Sequence, residues 1–482
     1  MAITDFIAAV DLGTSHIVGV VGKKNANGTL SILASEKEKS GSCIRRGCVN
    51  NIEETASKIK RLKLKLENKL NGAEIGKIYV GIGGQSLHTI DYTASKVLGT
   101  DGVVTQAEIE LLYQESRNCR LENLDVLAAV SPSFYLDDRL EQHPIGTPAN
   151  RIEGRYKLIV GRQSLRKYIT KSIAEKARVD VAGMIVSPLA LADIVLTEDE
   201  KDLGCALIGF GAGVTTLTIY KGGKLIDLSV IPLGSHLITR DITNLHIVET
   251  EAEQIKLTYG SALFEKNDDT IIQVSSADGI GLREIKQLEL NYIVEARTRE
   301  ILENVYARIE ETGLVKNLGG GVIITGGGAS LKNLVTAVRG RMDMDVRHAL
   351  IKKELVVDDE EDIANNPQYA TVIGLLMKGT VNCAASVTST PKVPKKEPKE
   401  TQTEQTTAQE EVKGEAKSPV AQQQLVQKKV EKEPVPVKKK KKPISQLLGD
   451  WTRTLFDDEY SSQEEEQRKK EEELKRKAEG NG

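Results

Sequence analysis

Ile7-Ala8-Ala9-Val10-Asp11-Leu12-Gly13-Thr14-Ser15-His16-Ile17-Val18-Gly19-Val20-Val21 is the stretch that decides how this chain folds. An apolar run enters a short turn bearing Asp, Gly, Thr and Ser. A second β-branched run leaves it, which predicts two strands of a buried sheet. Gly13 lets the backbone approach a ligand closely, and the successive amides beside it form a concavity that suits an anion. Thr14 and Ser15 add hydroxyls, and Asp11 is placed to hold the waters of a Mg²⁺ ion that phosphates also bind. Taken alone, these residues fit either a phosphate turn or an ordinary hairpin with a polar tip.

A second copy of the plan lies mid-chain, in Cys205-Ala206-Leu207-Ile208-Gly209-Phe210-Gly211-Ala212-Gly213-Val214-Thr215-Thr216-Leu217-Thr218-Ile219-Tyr220. Internal duplication of this kind governs the fold as a whole. A third glycine turn, Thr325-Gly326-Gly327-Gly328-Ala329-Ser330, follows the apolar run Val322-Ile323-Ile324 and precedes an expected helix over residues 331–339. Three such turns in this order resemble the actin-like ATPase superfamily. The resemblance implies an α/β fold of two duplicated ribonuclease-H-like lobes with ATP and Mg²⁺ between them. Gly13, Thr14 and Ser15 would face the phosphates from one side and Gly211, Gly213 and Thr215 from the other. Gly326, Gly327 and Gly328 would lie against the adenosine, and Asp11 would hold the metal through water.

Composition bounds the rest. With 482 residues and 39% hydrophobic content the chain can bury a sizeable core in two or more domains. The net charge of -3 points to no particular partner, but the segregation along the chain is strong. Seven of the 13 prolines lie from Pro391 onward and 37 of the 41 glycines lie before it, so a globular body is expected to end near residue 385. Five scattered cysteines without a C-x-x-C pair suit a reducing compartment and no zinc site. No run of 18 apolar residues and no leader-like segment occurs, which predicts a soluble body.

After the first hairpin, Ile52, Ala56, Ile59, Leu62, Leu66 and Leu70 fall at helical spacing with lysines between them. Without interleaved aromatics those lysines read as a solvated helix face, not a nucleic-acid patch. Residues 77–82 return to the sheet. Residues 84–162 then interrupt the plan with an α+β insertion: strands over 89–98 and 126–136, and a helix over 105–119 that Thr105 caps with Glu108. Its landmarks are Ser131-Pro132-Ser133-Phe134-Tyr135-Leu136-Asp137-Asp138, His143-Pro144-Ile145-Gly146 and Arg151-Ile152-Glu153-Gly154. A Tyr-x-x-Asp strand followed by an H-P-I-G loop resembles the bacterial cell-division family FtsA, over about residues 5–377. In that family the insertion, called subdomain 1C, takes part in contacts between neighbouring subunits.

The second lobe is expected to run through Lys221-Gly222-Gly223-Lys224, a turn joining two strands, into helices ending at Gly260. Glu253 and Lys256 share one helix face, as either a surface ion pair or, as the resemblance implies, a ribose contact. Residues 238–314, ending in a charged helix over 283–311, would form subdomain 2B, which in the family receives the C-terminal peptide of the tubulin-like protein FtsZ. Arg283, Lys286, Arg297 and Arg299 are cations that suit an acidic peptide or a solvated helix face equally.

Residues 386–437 are Lys, Glu, Gln, Thr and Pro, a composition that predicts a disordered linker. Lys438, Lys439, Lys440, Lys441 and Lys442 follow, and then Ile444, Leu447, Leu448, Trp451, Leu455 and Phe456, most of them on one narrow stripe of an amphipathic helix. A lysine run beside a short apolar helix carrying the single Trp suits a membrane-surface anchor, a partner-binding helix or a nuclear-localisation-like lysine run. The family resemblance implies the anchor, on anionic inner-membrane lipids. The family's helix closes its chains, whereas here a charged stretch follows, with pairs such as Glu466 and Lys470 or Glu471 and Lys475.

The expected division is therefore 1A over 1–83 and 163–200, 1C over 84–162, 2A over 201–237 and 317–385, 2B over 238–316, linker over 386–437, basic run and helix over 438–459, and a charged tail over 460–482. Two departures from the superfamily bear on turnover. Gly209 stands where the second hairpin usually has Asp, and His16 where many relatives have Lys. ATP binding with weak or absent hydrolysis is expected. The functional expectation is a filament-forming cell-division protein that tethers the FtsZ ring and other division proteins to the cytoplasmic face of the inner membrane. The alternatives are a sugar or carboxylate kinase and an actin-like pilus-assembly scaffold.

Overall fold

A computed structural model describes residues 5–99, 102–263, 270–275, 282–357 and 363–385. The membrane, linker and tail expectations on residues 386–482 lie outside the described residues.

The duplication read from sequence is a duplication of topology. In the first lobe, Ile7–Leu12, His16–Lys24 and Leu30–Lys39 form an antiparallel meander, and Lys77–Ile82 and then Asp180–Val186 add parallel to its first strand. In the second lobe, Cys205–Phe210, Thr215–Lys221 and Lys224–Ile231 repeat the meander, extended by Val322–Thr325 and Val346–His348. The leading strands of the two meanders have the same burial pattern, with only the fifth residue partly open: Asp11 in one, Gly209 in the other. Buried on both faces, they read as continuous apolar runs, as expected of parallel-paired central strands.

Helix Ile52–Lys69 covers one face of the first sheet. Asn51 caps it by accepting from the Glu54 amide at 3.0 Å, and Ala56, Ile59, Leu62 and Leu66 are buried as their spacing predicts. Each of the larger three contributes roughly 1.5–3 kcal/mol by leaving water. The helix lies close because Gly19 leaves room for Leu62 and Leu66.

The insertion is a sheet in the order His88–Val97, Arg151–Arg162, Leu124–Leu136, Arg139–Glu141, with helix Gln106–Arg117 on one face. Its core holds Ala94, Leu112, Ile152, Tyr156 and Leu158. The Glu108 carboxylate accepts from the Thr105 amide at 3.0 Å, so the expected cap is present. The insertion does not stand apart from the second lobe: His88 pairs with Ser229, making one nine-stranded sheet.

Three expectations are corrected. Residues 282–286 are a strand, antiparallel to Ile271–Ser275, and the charged helix is Gln287–Glu311. Only Ile285 of Leu282–Lys286 is buried, and one buried residue gives no period by which to tell a strand from a helix start. The helix after the third glycine turn is Leu334–Met342. A 3₁₀ turn over Gly327–Ser330 and a left-handed Asn333 intervene, and they delay the α-helix by three residues. The return segment 317–385, expected in 2A, divides between the lobes. Its last helix, Ala370–Lys378, packs against Ser187–Val195 and Ile7–Leu12 in the first lobe, and the Cys383 amide donates to the Phe6 carbonyl at 2.8 Å. Its apolar residues Val372, Ile373, Leu375 and Leu376 find their unfilled surface there.

The smaller part of the second lobe has its own core of Ile238, Ile242, Ile255, Ile285, Leu290 and Val294. The long helix Gln287–Glu311 ties it to the main lobe, where Ile301, Leu302, Val305 and Ile309 are buried. Among the described residues no helix is long and apolar enough to cross a membrane.

Candidate functional site

The first turn is held open from behind. Ser40 donates its hydroxyl to the Gly13 carbonyl at 2.6 Å and its amide to the Ser15 carbonyl at 2.9 Å. Thr14 Oγ1 accepts from the Gly47 amide at 3.0 Å. With the carbonyls taken up on that side, the amides are left facing the other. Among the described residues, the amides of Thr14 and Ser15 donate to no protein acceptor, nor do those of Ala212 and Gly213 in the second turn. Four free amides on two facing turns are the donor set a phosphate chain needs.

The turns meet. A β-carbon added at Gly213 would sit 2.5 Å from Thr14 Oγ1, so only glycine permits this approach of the lobes. The second turn is closed by Gly211, whose amide donates to the Val214 carbonyl at 2.9 Å. Helix Ser235–Ile242 caps it, with the Ser235 amide donating to Gly211 and the His236 amide to Ala212, each at 2.9 Å. Thr215 departs from expectation as a phosphate contact. It is fully buried and its hydroxyl donates to the Leu233 carbonyl at 2.8 Å, because strand alternation turns it inward.

The third turn abuts the second. Gly326, at φ +89°, adopts a conformation L-residues avoid, and a β-carbon there would strike the Phe210 carbonyl at 2.5 Å. At Gly328 a β-carbon would lie 3.1 Å from Phe210 and Ser235, while Gly327 faces open space. Glu253 and Lys256 converge on the same place. Lys256 Nζ donates to Glu253 at 2.7 Å, to Thr239 Oγ1 at 2.9 Å and to the Ser235 carbonyl at 3.4 Å, and Thr239 also donates to Glu253. Lys256 is buried while the Glu253 side chain is 43% exposed, so the pair runs from the interior out to the surface. Burial lowers its pKa against the pull of Glu253. Burial opposes ionisation of Glu253 too, but the hydrogen bonds from Lys256 and Thr239 bring its carboxyl below the ordinary value.

Asp11 lies behind the first turn. Burial lifts its carboxyl to about 6, partly offset by a hydrogen bond from Ser187 Oγ at 3.3 Å. Gly81 makes room for both: a β-carbon there would collide with Ser187 Oγ and lie 3.0 Å from Asp11 Oδ1. A desolvated but partly open carboxylate with one weak donor gains most from a cation nearby, which suits a hydrated metal. Burial, with Lys37 and Lys39 close by, lowers the His16 pKa and keeps the ring neutral near pH 7. Sequence reading missed Ser187, Gly81, Gly47 and Ser235. Each acts through a contact between distant segments that no local pattern marks.

The four partner cations are not alike. Arg283 and Lys286 are exposed on the strand Leu282–Lys286, and Arg299 is exposed but pairs with Glu295. Arg297 is largely buried, with its guanidinium held by Asp241 at 2.6 and 3.1 Å and by Glu300. That commitment removes it from the set offered to a peptide.

Comparison with known proteins bears on this site. The family model for "Cell division protein FtsA" matches residues 206–374, which include the second and third turns. The FtsA of Porphyromonas gingivalis is 33% identical over 384 residues, covering 79% of this chain and 80% of that protein. The FtsA of Neisseria meningitidis is 29% identical, covering 77% and 89%. Among solved structures, a PilM-PilN type IV pilus biogenesis complex superposes with a TM-score of 0.55 over 78% of this chain and 99% of that one. At 14% identity that likeness shows the actin-like fold alone. On this identity and coverage, the chain belongs to the FtsA family of cell-division proteins.

Proposed function

We propose that this chain binds Mg-ATP between its lobes, polymerises on the inner membrane and tethers the FtsZ ring there through its C-terminal segment. The observation that carries the reading is the meeting of Thr14 with Gly213, which brings the free amides of two turns to one crevice. The amides of Thr14, Ser15, Ala212 and Gly213 would hold the phosphates, Asp11 would hold the waters of Mg²⁺, and Gly326, Gly327, Gly328, Glu253 and Lys256 would border the nucleoside. Bound there, the nucleotide supplies charge that links the lobes. The chain's own residues fix the angle between them, and hence which surfaces match in a filament. Gly209 offers no carboxylate to orient water, which supports a clamp with slow turnover.

The membrane role rests on sequence. Five lysines beside an anionic leaflet contribute about 1 kcal/mol each, comparable to partial burial of Ile444, Leu447, Leu448, Trp451, Leu455 and Phe456. The composition of residues 386–437 suits a linker, and a coil of roughly 50 residues would span about 40 Å on average, enough to let the body work at a distance from the bilayer. Arg283 and Lys286 are the cations proposed to meet the acidic FtsZ peptide. Sedimentation with anionic liposomes tests the reading. The full chain with Mg-ATP should pellet and carry the FtsZ peptide with it, and deletion of residues 438–456 should abolish pelleting. Pelleting unchanged by that deletion would overturn it.

A further inference from the structure

The Ser131-Pro132-Ser133 landmark of the insertion has a place in the fold that the functional reading does not use. Ser131 adopts a left-handed conformation at φ 53° in mid-strand, and the register slips there, with Ser131 and Pro132 opposite Tyr156. Such a bulge in a non-glycine residue re-aims side chains at a local cost, and it persists where other contacts sustain it. Here it aims them at the edge of strand Lys224–Ile231 that faces the insertion. Ser131 Oγ accepts from the Leu225 amide at 2.8 Å. Lys224 Nζ donates to the Pro132 carbonyl at 3.0 Å and to Ser133 Oγ at 2.7 Å. Further along the same edge, Thr89 donates to Asp227 Oδ1 at 2.7 Å and accepts from the Leu228 amide at 3.1 Å, next to the His88–Ser229 bridge. The receiving strand is bulged as well, leaving Ile226 unpaired between Leu225 and Asp227. Beneath these bonds Leu87, Leu127 and Ile159 of the insertion share one core with Leu225 and Leu228.

We infer that the insertion is a latch between the lobes, fastened at Ser131, Ser133 and Thr89 to Lys224, Leu225 and Asp227, which holds the two glycine turns together. The insertion springs from the first lobe at Gly83 and Gly84, and its strand His88–Val97, with the bulge at Ser131 behind it, is bonded to the second. Parting Thr14 from Gly213 therefore requires this joint to break or the insertion to move with the second lobe. The latch needs no nucleotide, so it stands or falls separately from the proposed function.

Hydrogen exchange on the full chain, without nucleotide, tests it. Thr89→Val, Ser131→Gly and Lys224→Met together remove the hydroxyls and the ammonium, and glycine at 131 retains the bulge conformation. Within residues 11–16 and 211–216, which make no contact with the altered side chains, the bonded amides, such as that of Gly211 on the Val214 carbonyl, should exchange about tenfold faster, as loss of several modest hydrogen bonds predicts. Asp91→Asn, on the insertion but outside the joint, should leave both turns unchanged. Faster exchange confined to residues 225–229, with the turns as protected as before, would overturn the latch. Lys224→Met alone, at a partly exposed side chain, should show the same direction at smaller size if the triple variant does not fold. If the unaltered chain binds no ATP, the proposed function fails while the exchange comparison still decides the latch.

Discussion

Thr14 and Gly213, from turns in opposite lobes, touch so closely that a β-carbon on Gly213 would lie 2.5 Å from the Thr14 hydroxyl. Gly213→Ala should therefore force the lobes apart, costing about 1–3 kcal/mol as other overpacking substitutions do. Thr14→Gly in the same chain removes the obstructing atoms and should recover most of that loss. Thermal melts of the single and double variants check it, with strict additivity as the contrary result.

Asp11 predicts a pH dependence. Its folded pKa of about 6 lies above the ordinary 3.8, so the folded protein binds more protons than the unfolded chain between those values. Stability contributed by this group is full below about pH 4, falls as pH rises toward 6 and is flat beyond, a difference of up to roughly 3 kcal/mol. Asp11→Asn should abolish that slope and raise the melting temperature at pH 7.5. Melts from pH 4 to 7.5 without metal would expose a wrong sign.

Gly209 has room for a side chain, since a β-carbon there would meet nothing nearer than 3.7 Å. Gly209→Asp should fold and should raise Mg-dependent ATP hydrolysis, by about tenfold or more if water orientation is what limits turnover. Phosphate release from both proteins measures it. An unchanged rate would place the limitation elsewhere.

Arg297 and Arg283 separate structure from partner binding. Removing Arg297 leaves Asp241 and Glu300, both mostly buried, without their cation, so Arg297→Ala should cost about 3 kcal/mol of stability. Arg283→Ala, at an exposed position, should change stability by less than about 0.5 kcal/mol yet weaken binding of an acidic FtsZ peptide. Denaturant titration and peptide anisotropy distinguish the two.

What the sequence makes legible follows its periodicities. The two meanders, the helix Ile52–Lys69 and the Thr105 cap are patterns of adjacent residues, and each is present in the fold. The burial of Lys256, the burial of Arg297 and the return of Ala370–Lys378 to the first lobe depend on what a segment meets in space. Nothing in a local pattern states that. Ser187 is the clearest case: it follows an ordinary strand, opens an ordinary helix, and becomes informative only because Gly81 lets it reach Asp11.

Calorimetric titration of Mg-ATP into the full chain, beside Gly213→Ala, tests the central claim most directly. Saturable binding of one nucleotide per chain, lost or weakened at least about tenfold in the variant, is the predicted result, since the variant's side chain fills the crevice between the turns. Equal binding by both proteins, or by neither, would contradict the placement of the phosphates between Thr14 and Gly213.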